Sequence, residues 1–419
     1  MELSSIAYYV TDKISSDKIV LEQYVTTDCI SQNKHGREVA TNLPPQPCKL
    51  IRYKCGDVLV ANIRPYLKKI WFADMDGGAS SDVLVFRAKD GHSPSYLYSL
   101  LLQDAFYDYV MQGTKGSKMP RGDKDQIMRY KIPTPSISEE SIGTFFLKLD
   151  KKIALNRAIN RNLEAMAKQL YDYWFVQFDF PDESGRPYKS SGGKMVWNEK
   201  LKREIPEGWK DGNVCLIADI LSGGTPSKFQ SSYWDNGTIP FFGPTDCNAD
   251  VFQIDTADHI TKEGLEHCAS SLFDEDVIII TARGSIGKLA IVGKPMAMNQ
   301  SCYALHSKNG EYEFLYFLTI QLIECLKAKG SGSVFKSIIT SDIENSHMCI
   351  AAPHIVSRFC KIVAPYFKKI KLNTVETYKL TSLRNTLLPL LMNGQVEVSD
   401  VENNVLMAAE AEAEYGGEK

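Results

Sequence analysis

The sequence predicts an α+β fold, with two mixed α/β domains and two long helices that repeat one plan. Three observations carry that expectation. The strand-like run Asp57-Val58-Leu59-Val60-Ala61-Asn62-Ile63-Arg64, followed by Lys69-Ile70, returns 219 residues later as Asp276-Val277-Ile278-Ile279-Ile280-Thr281-Ala282-Arg283, followed by Lys288-Leu289. The loop Gly113-Thr114-Lys115-Gly116-Ser117-Lys118 has a looser counterpart in Gly330-Ser331-Gly332-Ser333-Val334-Phe335-Lys336. Beyond prolines 133, 135 and 353, Lys151-Lys152-Ile153-Ala154-Leu155-Asn156 recurs as Lys368-Lys369-Ile370-Lys371-Leu372-Asn373, at an offset of 217. Near-constant offsets over most of a chain mark a duplicated unit, and two copies make a two-headed molecule, not a solenoid.

The parts follow in order. Residues 1–136 alternate β-branched runs with turns and carry one amphipathic helix near Ser95 to Met111, so they form the first α/β domain. Residues 137–178 contain no proline and one glycine, which predicts the first long helix. Residues 179–210 hold Pro181, Gly185, Pro187, Gly192-Gly193, Pro206 and Gly208, the composition of a linker. Residues 211–353 repeat the first domain, with their own helix near Tyr312 to Ala328. The second long helix belongs to residues 354–398, with Gly394 near its stop, and an acidic tail takes up 399–419.

The long helices carry a heptad seam. In the first it runs through Ile142, Phe146, Leu149, Ile153, Asn156, Asn160, Leu163, Ala167, Leu170 and Trp174. Adding 217 gives Phe359, Val363, Tyr366, Ile370, Asn373, Thr377, Leu380, Arg384, Leu387 and Leu391. Asn156 and Asn373 share a seam position, where a buried amide fixes register. Pairing the two helices as an antiparallel coiled coil relates the halves by a pseudo-two-fold axis. A helix of about 38 residues is roughly 55 Å long, against a B-DNA turn of roughly 34 Å. The alternative is an amphipathic helix lying on a globular core, because Ile159, Met166 and Tyr173 widen the stripe.

Composition excludes several classes. At 419 residues, 44% hydrophobic and 24% charged, the chain is long enough for two ordinary globular cores. No run approaches the roughly 18 apolar residues of a membrane span, and the N-terminus lacks a signal-like core, so a cytoplasmic protein without membrane contact is expected. Ten scattered cysteines without a Cys-x-x-Cys pair read as free thiols in a reducing compartment. The net charge of −3 argues against a generally basic nucleic-acid binder, so any such role must rest on local patches.

Several motifs resemble the specificity subunits of type I restriction-modification enzymes. They are Gly56-Asp57 through Arg64-Pro65-Tyr66, Ser222-Gly223-Gly224-Thr225-Pro226-Ser227-Lys228 with Tyr233-Trp234, Arg283-Gly284-Ser285-Ile286-Gly287-Lys288, and Gly192-Gly193-Lys194-Met195-Val196 leading to Ile205-Pro206-Glu207-Gly208-Trp209. The resemblance spans residues 1–398. It implies two target-recognition domains held apart by two spacer helices, reading double-stranded DNA as a bipartite, asymmetric target. It further implies docking of two methyltransferase (modification) subunits and of restriction/translocase subunits. S-adenosylmethionine is then expected in the methyltransferase and no cofactor on this chain. The first half lacks the Ser-Gly-Gly-Thr-Pro and Ile-Pro-Glu-Gly-Trp signatures of the second, so the two domains should read different half-sites.

Reading DNA needs paired donors and acceptors for bases and cations for phosphates. The first domain offers Arg64, Lys68 and Lys69 after a strand, Ser80 and Ser81 at the next strand start, and Lys115, Lys118 and Arg121 around a glycine-rich loop. The second offers Thr225, Ser227, Lys228, Arg283, Lys288, Asn299, Gln300, Lys329, Ser333 and Lys336. Alternatively, Arg64 and Arg283 tie their strand ends to Asp57 and Asp276.

Enzyme motifs are missing. Gly284-Ser285-Ile286-Gly287-Lys288-Leu289 is too short for a phosphate loop and has Leu289 where a magnesium-binding hydroxyl belongs. There is no Asn/Asp-Pro-Pro-Tyr motif, and Pro181-Asp182-Glu183 has no matching Glu-x-Lys. The seven histidines show no metal spacing, so neither metal nor catalytic residues are expected. A scaffold without sequence readout and a stand-alone DNA-modifying enzyme remain the competing readings.

Overall fold

The computed structural model describes residues 1–116, 118–134, 138–248, 250–329 and 337–399. The chain divides into two compact units, Met1–Leu155 with Lys379–Lys419, and Asn156–Tyr378. The boundaries cut through both long helices, which span Glu139–Tyr171 and Pro353–Met392.

In unit 1 the duplicated run forms the strand Val58–Ala61, in which every residue is buried. Its side chains alternate between two cores: Val58 and Val60 join the cluster of the helical layer, while Leu59 joins a second cluster with Tyr53, Trp71 and Val85. A strand covered on both faces reads as an unbroken apolar run, which is the pattern seen. The strand lies inside an antiparallel sheet ordered Ala7–Tyr9, Val83–Ala88, Val58–Ala61, Ile70–Phe72. A second sheet is ordered Lys13–Ser15, Lys49–Tyr53, Gly77–Ala79, Tyr24–Val25, with only the last pair parallel.

Unit 2 repeats this plan. Its larger sheet is ordered Ala218–Ser222, Cys302–Ser307, Ile278–Thr281, Leu289–Val292, with Phe252–Gln253 added in parallel at the edge. Ile278 and Ile280 face the helical core and Ile279 the other one. The smaller sheet is Asp258–Ile260, Ile239–Phe242, Ala297–Met298, again with its last pair parallel. The chain is therefore a mixed α/β protein with a two-domain repeat.

Three local structures differ from the sequence expectation. The helix expected near Ser95 to Met111 is two helices, Pro94–Leu102 and Asp104–Gln112. Gln103 separates them in an extended conformation (ψ 142°), with no glycine or proline to announce the break. Residues 179–210 are more ordered than a linker: Met195–Asn198 pairs antiparallel with Arg203–Pro206, and Phe180 stacks on Tyr188 and Trp209 at centroid distances of 4.6 and 5.1 Å. The first long helix ends in a π-turn at Asp172–Val176, which buries Trp174 and Phe175.

The helix ends pack onto the cores of their own units. Ile142 and Phe146 join Leu388 and Leu391 in unit 1, and Ala167 and Trp174 join Phe359, Val363 and Ile370 in unit 2. Gly143 explains itself here, since a Cβ would lie 2.4 Å from the Tyr96 amide nitrogen. The polar seam residues bond across the two helices. In unit 2, Asn156 Nδ2 donates to Glu376 (2.8 Å), while Asn160 Nδ2 donates to Thr374 Oγ1 (3.2 Å) and Asn373 Nδ2 to Asn160 Oδ1 (2.9 Å). The two segments therefore run in opposite directions within this unit. In unit 1, Arg384 donates to Asp150 at 2.6 Å, and the buried Tyr98 hydroxyl donates to the other oxygen of that carboxylate at 2.9 Å. No helix among the described residues is long and apolar enough to cross a membrane.

Candidate nucleic-acid interface

Each unit has one edge where the residues after the central strand meet two further loops. In unit 1, Asn62 donates its amide to Asp82 O (2.9 Å), Arg64 to Pro120 O (2.8 Å), and Gly122 to Asn62 O (3.3 Å). Lys115 and Arg121 exchange backbone hydrogen bonds, both 3.1 Å, which closes the glycine-rich loop on itself. Arg121 reaches Asp82 at 3.2 Å and Lys115 reaches Asp123 at 3.3 Å. Asp123 also caps the helix Lys124–Met128. The Gln126 amide, with Lys115 second, holds its carboxyl below the usual range. Arg64, Ser81, Lys115, Lys118 and Arg121 are exposed together here, with Ser80 half-buried. Arg64 has φ of 51°, a left-handed conformation that a non-glycine residue adopts only under constraint.

Unit 2 builds the same edge from different residues. Ser80 donates its amide to Val25 O at 2.8 Å in unit 1, and Asn299 to Phe242 O at 2.9 Å in unit 2. Ala282 and Arg283 both donate to Ser301 O (2.8 and 3.2 Å), and Ile338 donates to Ala282 O (2.9 Å). The trio Ser80-Ser81-Asp82 is thus replaced by Asn299-Gln300-Ser301 on an equivalent backbone. Unit 2 adds the loop from Gly223 to Gln230. Gly223 is required there, because a Cβ would stand 2.3 Å from Asn299 O. Gly224 donates to Met298 O at 3.1 Å, and the Thr225 hydroxyl donates to Gln300 Oε1. Ser227, Lys228, Arg283 and Gln300 are exposed along this edge, with Asn299 and Thr225 half-buried. Lys329 ends the helix Tyr312–Lys329, and Ser333 and Lys336 lie outside the described residues.

Three of the expected cations point elsewhere. Lys69 Nζ donates to Thr27 O (2.5 Å), and its counterpart Lys288 donates to Cys247 O (3.1 Å). Both lysines thus tie the start of the next strand to a loop carbonyl of their own domain. Lys68 pairs with Asp104 at 2.7 Å, beside the buried Lys34 at 2.9 Å. Burial works to raise the Asp104 carboxyl, but hydrogen bonds from Lys68 and Lys34 hold it below the usual range. The suggested ties of Arg64 and Arg283 to Asp57 and Asp276 are also corrected. Asp57, 2% exposed, accepts from Arg87 Nε and Nη2 at 2.7 Å each, and Asp276 faces Lys371 at 3.4 Å. Sequence reading missed Phe229, whose only signal is an aromatic residue inside an otherwise polar turn.

Two α/β units of one design, each presenting a cation-flanked polar edge with its own side chains, define a two-headed recognition protein. Residues 16–165 and 206–380 match the family described as Type I restriction modification DNA specificity domain, and the chain belongs to that family. It is 29% identical over 321 residues to the Type I restriction enzyme MjaIX specificity subunit of Methanocaldococcus jannaschii, covering 75% of this chain and 71% of that protein. It is 24% identical over 412 residues to the HindI specificity subunit of Haemophilus influenzae, covering 85% and 89%. The fold is similar to the crystal structure of a type I restriction-modification S subunit from M. genitalium. That match has a TM-score of 0.55 at 16% identity and covers 93% of this chain and 95% of that one.

Proposed function

We propose that this chain reads an asymmetric, bipartite DNA target and positions modification and restriction subunits on it, catalysing nothing itself. The supporting observation is the replacement of Ser80-Ser81-Asp82 by Asn299-Gln300-Ser301 on equivalent backbones. Equivalent scaffolds with unlike hydrogen-bonding groups read unlike bases, since an amide presents a donor and an acceptor on separate atoms, a hydroxyl carries both on one, and an ionised carboxylate only accepts. Arg64, Lys115, Lys118 and Arg121 in unit 1, and Lys228 and Arg283 in unit 2, supply the phosphate contacts. In this reading the long helices form an antiparallel coiled coil with a pseudo-two-fold axis that sets the spacer between half-sites. Two methyltransferase subunits dock on the assembly and carry S-adenosylmethionine, and the complex works in the cytoplasm.

Sequencing of methylated adenines, in a host with and without this gene, tests the reading. The expected result is two unlike half-sites separated by an unread spacer. A continuous palindrome would refute it. Exchange of residues 211–353 for the equivalent domain of a relative should change one half-site and leave the other intact.

A further inference from the structure

Phe229 is 101% exposed, while the next most exposed large apolar side chain among the described residues, Leu216, is at 61%. Single exposed apolar residues are ordinary on protein surfaces, so exposure alone assigns nothing. The placement does. Lys228 and Phe229 occupy the two central positions of a turn closed by Gln230 N donating to Ser227 O at 3.3 Å. That turn is held firmly on both sides. Trp234 Nε1 donates to Ser227 O at 3.0 Å, and Tyr233 donates its amide to Gln230 O at 3.1 Å. On the other side, Thr225 is bonded to Gln300 and Gly224 to Met298. The ring therefore stands out from an anchored apex, a few residues beyond a side chain that bonds the polar edge of unit 2.

We propose that Phe229 is a DNA wedge: it inserts between adjacent base pairs of the half-site read by unit 2, with Lys228 on the neighbouring phosphate. Apolar side chains inserted at a base step unstack and kink the duplex, and pyrimidine–purine steps yield most readily. An aromatic ring stacks on any base, so it contributes affinity and shape selection beside the hydrogen-bonding readout of Asn299 and Gln300. In unit 1 the corresponding segment, between the strands Ala7–Tyr9 and Tyr24–Val25, holds the strand Lys13–Ser15 and two short 3-10 turns in place of this loop, so the wedge belongs to one half-site only. The proposal rests on unit 2 reading DNA.

The test uses the full chain assembled with its modification subunits, on the duplex found by methylome sequencing. Phe229→Ala should weaken target binding by roughly 5- to 150-fold, the range of an aromatic–base stack, with the salt dependence of binding unchanged. Phe229→Trp should bind like the wild type and add an indole emission that target DNA quenches. Binding of Phe229→Ala within about twofold of wild type, well below that range, overturns the proposal, as does an indole insensitive to DNA. Failure of Phe229→Ala to assemble with the modification subunits also overturns it, by making the ring a protein contact. A wild-type complex with no sequence preference would instead remove the recognition reading itself.

Discussion

Asn373 is 1% exposed and donates its Nδ2 to Asn160 Oδ1 at 2.9 Å, so the buried amide on the seam has a partner on the other long helix. This changes the expected outcome of replacing it with leucine. A lone Asn373→Leu adds an apolar side chain but leaves Oδ1 of the half-buried Asn160 without that donor, and a polar group left unsatisfied away from water costs about 1–3 kcal/mol. Replacing both partners removes that orphan; the Asn160 Nδ2 bonds to Thr374 Oγ1 and Ile370 O go as well, but the Thr374 hydroxyl still donates to Ile370 O at 2.8 Å, so the double variant comes closer to neutral than the single one. The double variant Asn160→Leu/Asn373→Leu should therefore be more stable than Asn373→Leu by about 1–3 kcal/mol. Because a two-unit chain need not unfold in one step, hydrogen exchange resolved by peptide is the suitable assay. Amides around 363–377 should exchange roughly 5- to 150-fold faster in the single variant than in the double, at a factor of ten per about 1.4 kcal/mol. Equal protection in the two variants would refute the account, because it would leave the amide pair without energetic coupling.

Asp57→Asn should destabilise unit 1 by about 3–5 kcal/mol, measured as a fall in urea midpoint, because it breaks the bidentate pair with Arg87 at a residue 2% exposed. Replacing Lys115, Lys118 and Arg121 together with alanine should lower the slope of log affinity against log salt by about 0.9 for each phosphate that these side chains neutralise. Lys69→Met and Lys288→Met should leave that slope unchanged and reduce thermal stability. Glu164 tests the pH dependence. Burial raises its carboxyl above the usual range, opposed by the Tyr316 hydroxyl donating at 3.0 Å. A raised folded-state value gives stability that is present below the unfolded value and lost as pH rises through the folded one. Glu164→Gln should accordingly be more stable than wild type at about pH 8, with the difference closing toward about pH 4; an unchanged difference across that range would contradict the assignment.

The repeat was legible because both central strands are covered on two faces, which forces the runs Val58–Ala61 and Ile278–Thr281 to be apolar almost throughout. That Arg64, Arg121, Asn299 and Gln300 lie near strand ends was legible because strand ends and turns recur in order in the two halves. The destination of a lysine head was not legible. Lys69 and Lys288 sit at equivalent sequence positions either way, and only the folded distance to Thr27 O and Cys247 O assigns their heads to loop carbonyls of their own domains. The break at Gln103 left no trace because neither glycine nor proline marks it. The amide pair Asn160–Asn373 joins helices 213 residues apart, a pairing that no local period encodes.

The division of the chain into Met1–Leu155 with Lys379–Lys419, and Asn156–Tyr378, has a consequence for synthesis. Unit 2 is continuous and leaves the ribosome whole, whereas unit 1 is begun first and finished last. Its core draws on Leu388, Leu391, Met392 and Val398, so the N-terminal half must wait, with Phe146 and its neighbours uncovered, until those residues emerge. At about 5–20 residues per second the wait lasts roughly ten to forty-five seconds. During that interval the nascent N-terminal unit is the vulnerable one. A premature stop shortly after Tyr378 would thus spare the unit beside it and cripple the one encoded at the opposite end of the gene.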